Sequence, residues 1–328
     1  MAAKEADQRR KRVKKIALEE HCMTPGLASY WEPTMADVPK EIYQGIRTRL
    51  HDYSELRLRE MDEAGIEKAI LSAAGPGVQI EPDTRVALKT AAEANDYLAA
   101  QIASNSKRLY GFAHIALQDP AAAAKELERC VRQLGFKGVM INGHSNGHYL
   151  DERQFDPFWA KAEELQVPVY LHPADPPVQY HSFGNYDSLR RATWGWTVET
   201  GTHVLRMVFG GVFDRFPKAT LAVGHLGETL PFLLWRLDSR AKLYGVKLER
   251  EPSDYIRENI VVTISGMYSA EPFNCAIAAL GQSRVMFSAD YPFEPWVVAG
   301  NFMDDVKVDE NVRADVAWNN AAKLFNIG

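Results

Sequence analysis

The chain has 328 residues, of which 46% are hydrophobic and 25% are charged, and its formal net charge is −5. This balance is typical of a globular protein with a large core, and it excludes intrinsic disorder and collagen-like structure. The mild acidic charge gives no electrostatic basis for binding nucleic acid or an anionic membrane, and no apolar run reaches the ~18 residues that a transmembrane helix needs.

The first residues, 1–14, are polar and mostly basic, and no hydrophobic stretch of signal-peptide length follows their arginines. We therefore predict a flexible extension here and a single domain over residues 15–328. Through that domain, compact apolar runs alternate with helical segments. The runs lack strict polar alternation, which is typical of parallel strands buried on both faces. The predicted strands are residues 15–21, 68–72, 110–115, 136–142, 167–173, 220–225, 259–265 and 284–290.

Helical segments lie between the strands. Asp119 and Asp156 are each followed by proline, a pair that favours an N-cap and a first helical residue. Eight strands alternating with eight helices predict an α/β protein with a closed (β/α)8 TIM barrel. An open doubly wound sheet is the alternative, but no GxGxxG motif follows an early strand. The predicted helices are residues 55–63, 85–103, 121–134, 158–165, 199–209, 228–243, 272–280 and 310–325.

Four stretches are predicted to be irregular, and each follows the carboxyl end of a strand. That end of a TIM barrel is the face on which active sites are built. Long loops there are more often lids or pocket walls than separate domains. The stretches are residues 23–53, 143–155, 173–192 and 291–308.

Side chains that bind metals stand at three of these strand ends. The first strand ends in Glu19, Glu20 and His21, the fifth in His172 and the eighth in Asp290. Since side chains alternate along a strand, Glu19 and His21 point to one side. If that side is the barrel interior, two imidazoles and two carboxylates meet and suit one divalent cation such as Zn²⁺ or Mn²⁺. Each residue alone would be a hydrogen-bonded core residue or a cap, but the four together predict a metal site.

Two further pairs are candidates for a role near this site. His225 lies in the segment GHLGE, and Glu228 three residues later can fix its tautomer and so help to orient or polarise a substrate. The alternative is a packing histidine beside a helix-capping carboxylate. Trp194 and Trp196 precede a predicted helix at the barrel top, where they could wall a flat substrate or simply belong to the core.

Several motifs occur together along the chain: EEH and YLHP at the first and fifth strands, GVFDRFPK and GHLGE around the sixth, TISG at the seventh, FSADYPFE at the eighth, and NNAAKLF near the end. This combination resembles the amidohydrolase-2 family, in particular its metal-dependent decarboxylase branch, over residues 13–325. The Glu-x-His of the first strand and residues 193–200 favour the γ-resorcylate (2,6-dihydroxybenzoate) type over the 2,3-dihydroxybenzoate type. The family's HPRNP after the fifth strand is here HPADP, so its arginine is missing.

The resemblance implies a carbon–carbon lyase that reversibly and non-oxidatively decarboxylates an aromatic acid with a hydroxyl ortho to the carboxylate. One divalent metal ion and no organic cofactor are implied, with Asp290 as the proton donor to the ring. Related enzymes form dimers and tetramers, so a homodimer or homotetramer is expected. The implied residues are Glu19, His21, His172 and Asp290 as metal ligands, His225 and Glu228 as their supporting pair, and Arg236 as a substrate contact.

Two alternatives stay open at this point. The first is a metal-dependent hydrolase of a lactone or amide, since the same ligands can activate water and neither fold nor metal fixes the reaction. The second is a ligand-binding barrel without activity. The three cysteines, Cys22, Cys130 and Cys275, lack CxxC spacing and predict a reduced, cytoplasmic protein.

Overall fold

Eight parallel strands form the centre of the molecule in the computed structural model, which describes residues 12–328. They are β1 Lys15–Cys22, β2 Ile66–Ala73, β3 Leu109–Gly111, β4 Val139–Asn142, β5 Val169–His172, β6 Leu221–Val223, β7 Ile260–Thr263 and β8 Val285–Met286. All eight predicted strands are therefore present. β1 and β2 are longer than predicted, whereas β3 to β8 are shorter, because strand pairing covers only part of each apolar run.

The strands close into a ring. They pair in chain order within two parallel sheets, β1-β2-β3 and β4-β5-β6-β7-β8. Single parallel bridges join the two sheets: Ala113 pairs with Val139 between β3 and β4, and Glu20 pairs with Tyr291 beyond β8. Since the strand order never reverses, the doubly wound alternative is wrong and the predicted TIM barrel is confirmed.

Helices surround the ring. Among residues 12–328, no helix is both long and apolar enough to cross a membrane. The helices Lys40–His51 and Trp296–Asp305 lie in stretches predicted to be irregular, and Pro252–Asn259 was not predicted. The helices of eight or more residues are Lys40–His51, Glu55–Ala64, Thr84–Ala103, Pro120–Arg132, Asp156–Leu165, Gly195–Phe209, Leu234–Leu243, Pro252–Asn259, Ala270–Leu280 and Trp296–Asp305.

Two predicted helices are interrupted. The one predicted over residues 228–243 begins only at Leu234, because all residues from 225 to 229 take left-handed backbone conformations and a short 3-10 turn, Leu230–Leu233, follows them. The one predicted over residues 310–325 contains a π-helical turn, Asp315–Asn319, between two short α-helices. The first interruption matters for function, since it includes His225 and Glu228.

The barrel interior is a packed core. Every strand except β3 contributes a buried residue to it. From β3 the partly buried Tyr110 packs against this core, and the buried Phe112, which follows β3, completes the ring. Phe325 and Ile327 close its lower end, with the Phe325 ring 5.5 Å from that of Phe112. Lys68 holds this closure through its Nζ, which donates to the carbonyl oxygen of Ile327 at 2.7 Å. The polar residues of the opposite, carboxyl end therefore lie above a sealed apolar floor.

The extension over residues 1–14 stays a prediction, and its residues 1–11 lie outside the described residues. The backbone N–H of Val13 donates to Asp304 Oδ1 at 3.1 Å. The buried Lys15 ammonium donates to the same oxygen at 2.8 Å. The described chain is thus attached to the helix Trp296–Asp305 from its second residue onward.

Candidate metal centre and active site

The four predicted ligand residues meet at the carboxyl end of the barrel. Glu19 and His21 project from β1, His172 ends β5, and Asp290 follows β8. Each offers one ligand atom, and these atoms all lie within 4.8 Å of one another. Because parallel strands of a closed barrel end on one face, residues as distant in sequence as His21 and Asp290, which are 269 positions apart, share one site.

The shortest contacts within this group join imidazoles to carboxylates. His21 Nε2 lies 3.1 Å from Asp290 Oδ1, and His172 Nε2 lies 3.7 Å from Glu19 Oε1. The two imidazole rings meet edge to face, with centroids 4.6 Å apart. Three of the four side chains are buried, and Asp290 is partly exposed at the opening. A small cation placed among them would be contacted by ligand atoms of all four residues, from different directions.

Neighbouring groups fix the orientation of both imidazoles. His172 Nδ1 lies 2.9 Å from the Pro173 carbonyl oxygen, so it carries the hydrogen and leaves a lone pair on Nε2. His21 Nδ1 lies 3.2 Å from Ser72 Oγ, which turns Nε2 of that ring toward Asp290. Such outer contacts are the usual way in which a protein orients metal-binding histidines.

Only one of the two carboxylate oxygens of Glu19 accepts hydrogen bonds from the described residues. Tyr170 Oη donates to Oε2 at 2.8 Å, and Ser265 Oγ donates to the same oxygen. Among the described residues, the buried Oε1 has no hydrogen-bond partner. An unpartnered buried carboxylate oxygen is costly, so its direction toward His172 indicates a site for a cation.

Burial and neighbouring charges shift the pKa values of three of these four residues. Burial raises the pKa of Glu19, which therefore favours a compensating positive charge nearby. Burial and the neighbouring His21 lower the pKa of His172 to about 3, so this imidazole is neutral, as a metal ligand must be. Burial opposes ionisation of Asp290, but the hydrogen bond with His21 and the nearby His225 keep its pKa well below the ordinary range. The four residues thus fit one divalent cation of the zinc or manganese type.

His225 and Glu228 form the pair expected from the sequence. They lie on a turn with left-handed backbone, at φ 51° and 52° respectively, and this turn brings His225 Nδ1 to 2.7 Å from Glu228 Oε1. The other ring nitrogen, Nε2, lies 3.9 Å from Asp290 Oδ2. Burial opposes protonation of His225, but the carboxylates of Glu228 and Glu19 raise its pKa well above the ordinary value. His225 can therefore carry a proton beside Asp290.

Aromatic rings line part of the opening. The Trp196 ring lies 6.5 Å from that of His172, and the Phe293 ring lies 5.6 Å from that of His21. Trp196 is oriented by a hydrogen bond from its Nε1 to Asp175 Oδ1, at 2.7 Å. A planar substrate above the four ligand residues would be bordered by these rings.

Two predicted substrate contacts are not brought to the ligand residues in the described chain. Trp194 is 47% exposed at the start of the helix Gly195–Phe209. Arg236 is exposed on the helix Leu234–Leu243. Among residues 12–328, neither forms a hydrogen bond, ion pair or ring contact with the four ligand residues. Their roles stay predictions.

Asn142 is a further residue of the site that was not predicted from the sequence. This residue pairs in register with His172, so both side chains face the barrel interior. It is fully buried, and neither atom of its amide has a partner among the described residues. A side chain at Gly75 would lie 3.0 Å from the amide carbon, which explains the absence of one there. The one signal in the sequence was its position at the end of the fourth strand.

Fold and site together define a TIM-barrel protein with a candidate mononuclear centre of two histidines and two carboxylates. A family model described as Amidohydrolase matches residues 30–327. This match covers nearly the whole described chain, and the chain therefore belongs to the amidohydrolase family. The resemblance predicted from the motifs is confirmed.

Individual relatives match from end to end. The γ-resorcylate decarboxylase of Polaromonas sp. (strain JS666 / ATCC BAA-500) is 39% identical over 330 residues, covering 95% of this chain and 98% of the relative. A crystal structure of 2,6-dihydroxybenzoate decarboxylase complexed with 2,6-dihydroxybenzoate has a TM-score of 0.90, 37% identity, and coverage of 95% and 99%. A dihydroxybenzoic acid decarboxylase from Polaromonas sp. JS666, with bound manganese and the inhibitor 2-nitroresorcinol, has a TM-score of 0.89, 38% identity, and coverage of 96% and 97%.

Proposed function

We propose that this protein is a metal-dependent carboxy-lyase that removes CO2, non-oxidatively and reversibly, from an aromatic acid with a hydroxyl ortho to the carboxylate. γ-Resorcylate is the favoured substrate. The observation that carries the proposal is the full-length match to γ-resorcylate decarboxylase at 39% identity. The buried group of two imidazoles and two carboxylates supports it independently, because it is built for one cation.

In this proposal Glu19, His21, His172 and Asp290 hold one divalent ion, either Zn²⁺ or Mn²⁺. Manganese is favoured by the relative that contains it. When bound, such an ion offers a common binding point for the carboxylate and the ortho oxygen of the substrate and lowers the pKa of the hydroxyl. No organic cofactor is part of the proposal, because decarboxylation through a protonated ring needs no electron carrier.

The chain's own residues position the ring. Trp196 and Phe293 border its two sides, and the free amide of Asn142 offers both a donor and an acceptor to a second ring oxygen. A buried amide that gains a partner on binding favours substrates with an oxygen at that position. Two ortho hydroxyls would serve both the metal group and Asn142. Trp194 and Arg236 are retained as proposed contacts for the remainder of the substrate.

The reaction needs a proton at the ring carbon that carries the carboxylate. Asp290, a carboxylate at rest, takes a proton from His225 Nε2, which lies 3.9 Å from its Oδ2, and delivers it to C1, and the bond from C1 to the carboxylate carbon then breaks. The electron pair of this bond restores the aromatic ring, and CO2 leaves. Asp290 is thereby left as a carboxylate again, and His225 regains its proton from solvent. Glu228 stabilises the imidazolium through Nδ1.

A substrate comparison tests the proposal. Purified protein loaded with Mn²⁺ should release CO2 from 2,6-dihydroxybenzoate, and in D2O the product should carry one deuterium at the former carboxyl carbon. The isomer 3,5-dihydroxybenzoate, which lacks an ortho oxygen, should turn over little. Hydrolysis of aryl lactones or amides in parallel assays, without CO2 release from any ortho-hydroxy acid, would contradict the proposal and favour the hydrolase alternative.

We also propose that the chain forms a homodimer or homotetramer in the cytoplasm. Self-association is supported by four large apolar side chains exposed on one short segment, Phe232, Trp235, Leu243 and Tyr244, each more than 60% exposed. Large apolar side chains left exposed along one segment favour an interaction surface there. The cytoplasmic location is supported by the free cysteines Cys22, Cys130 and Cys275. Light scattering and cell fractionation test these two statements.

A further inference from the structure

We infer that Glu20, which is not one of the four ligand residues, is a positioning residue. It holds Asp290 in place by accepting hydrogen bonds from the backbone N–H groups on both sides of it. The inference rests on the proposed metal centre, since Asp290 is one of its four residues. Glu20 lies between the ligands Glu19 and His21 on β1, but strand alternation turns it away from the barrel interior. Its side chain is fully buried.

The first observation is the pattern of donors around the Glu20 carboxylate. Oε1 accepts the backbone N–H of Ala289 at 2.9 Å, and Oε2 accepts that of Tyr291 at 3.3 Å. These are the two residues that flank Asp290. Asp290 itself has φ 73°, a left-handed conformation that costs free energy for any residue with a side chain. One carboxylate thus spans the turn and offsets that cost.

The second observation is that the Glu20 carboxylate also accepts hydrogen bonds from side chains that precede and follow this turn. Trp296, the first residue of its helix, donates its Nε1–H to Glu20 Oε2 at 2.5 Å. The Trp296 ring stacks on that of Tyr291, with centroids 3.8 Å apart and planes at 11°. Ser288 Oγ donates to Glu20 Oε1 at 3.2 Å and accepts the Glu19 N–H at 2.7 Å. A ligand residue on β1 and one after β8 are therefore tied through one carboxylate.

Arg57 supports the same assembly from outside the barrel. Its guanidinium carbon lies 5.0 Å from the Tyr291 ring and 5.8 Å from the Trp296 ring. Its Nη2 donates to the carbonyl oxygen of His21 at 2.9 Å. The His21 N–H in turn donates to the Tyr291 carbonyl oxygen at 2.7 Å. The separation of His21 from Asp290 is thus set by these contacts rather than by the two side chains alone.

The geometry requires a carboxylate at position 20. Four donors converge on its two oxygens, two on each. An amide of the same shape would turn an NH2 group toward two of those donors, because it has one acceptor atom only. Glu20→Gln should therefore release one side of the turn and displace Asp290, with little change in packing volume.

The affinity for Mn²⁺ tests the inference without any substrate. The Kd is measured by competition with a chromogenic chelator, and the melting temperature of the metal-free protein is recorded in parallel. Glu20→Gln should raise the Kd about 10-fold to 100-fold, the usual effect of losing an outer contact of a metal site. Activity of this variant should recover as the Mn²⁺ concentration is raised, a rescue that general unfolding does not produce.

A matched pair of variants separates positioning from general stability. Trp296→Phe keeps the ring stack but removes one donor to Glu20, and it should raise the Kd less than Glu20→Gln. Trp159→Phe removes an equally buried indole N–H that donates to Leu150 O at 2.9 Å, away from the site, and should leave the Kd unchanged.

A wild-type Kd in Trp296→Phe overturns the inference even if Glu20→Gln fails to fold. An equal rise in Trp159→Phe overturns it as well. Absence of Mn²⁺ binding by the unaltered protein would contradict the metal centre itself, so the two failures are distinguishable.

Discussion

His172 contributes a single free nitrogen to the site, because the Pro173 carbonyl oxygen engages the other. Truncation to His172→Ala removes that nitrogen, and both metal and activity should be lost together. Metal content by elemental analysis, compared with turnover at a fixed Mn²⁺ concentration, checks this expectation. Full activity in metal-free protein would contradict the role of the centre.

His225 is expected to behave differently, since it contacts the ligand residue Asp290 at 3.9 Å and lies outside the group of four. His225→Asn should keep most of the metal yet lose at least ~10²-fold in kcat, the usual scale for a residue that moves protons. Glu228→Gln should act in the same direction but more mildly, because it only supports the imidazole. A metal-free His225→Asn protein would instead identify His225 as a ligand.

Asn142 gives a prediction about substrate choice. Asn142→Ala should lower kcat/KM for 2,6-dihydroxybenzoate about 3-fold to 10-fold, as expected for one uncharged hydrogen bond of roughly 1 kcal/mol. The effect on salicylate, which has a single ortho oxygen, should be smaller. Steady-state kinetics on both acids check this, and equal losses on both would show that the amide does not contact the second oxygen.

At the level of single elements, the helix Gly195–Phe209 carries a histidine that must stay neutral. His203 is buried, its Nε2 accepts the Leu150 N–H at 2.9 Å, and burial lowers its pKa to about 3. The unfolded chain, with the ordinary value of 6.5, binds a proton that the folded chain does not. The contribution of the neutral His203 to stability is therefore fully present above pH 6.5 and is lost as the pH falls toward about 3.

Urea unfolding of the metal-free protein near pH 7 and near pH 5 measures this effect. As the pH is lowered, the free energy of unfolding should decrease by up to ~1.4 kcal/mol per pH unit because of this one residue. His203→Asn keeps an acceptor for Leu150 but does not titrate, so its free energy of unfolding should fall less. The same slope in both proteins would assign the acid sensitivity to other groups.

The elements also show where sequence reasoning succeeds. All eight strands were predicted because buried parallel strands form compact apolar runs, and their order was sufficient to predict the barrel. The helix Lys40–His51 was missed because its residues are mostly polar or exposed, with Leu50 alone fully buried. The left-handed turn at Leu226 and Gly227 was missed because its shape depends on tertiary contacts that leave no periodic signal.

The residues of the candidate site also fall into those that the sequence predicted and those that it did not. Glu19, His21, His172 and Asp290 were predicted because ligand-type residues at strand ends of a barrel converge. Uncharged partners such as Ser72, Ser265 and Asn142 were missed, because serine and asparagine are common at strand ends and only the register shows which of them face inward. The contacts of Arg236 also depend on spatial neighbours that the local sequence does not specify.

At the scale of the whole molecule, the exposed apolar segment predicts an assembly. Trp235 is 76% exposed on the helix Leu234–Leu243, so Trp235→Glu should place a charge in the subunit contact and reduce the mass of the particle. Val178→Glu, at a position that is 80% exposed on a loop, is the control and should leave the mass unchanged. Light scattering after size-exclusion chromatography measures both, and a monomeric unaltered protein would contradict the assembly.

The sealed floor of the barrel has a consequence for how the protein is made. Phe325 and Ile327, which fill that floor, follow all eight strands in sequence, so a ribosome delivers the strands before the residues that complete their common core. The nascent barrel is open at its lower end until those residues leave the exit tunnel. Translation stalled after residue 320 should therefore leave a chain that is more readily cleaved by proteases than the released one.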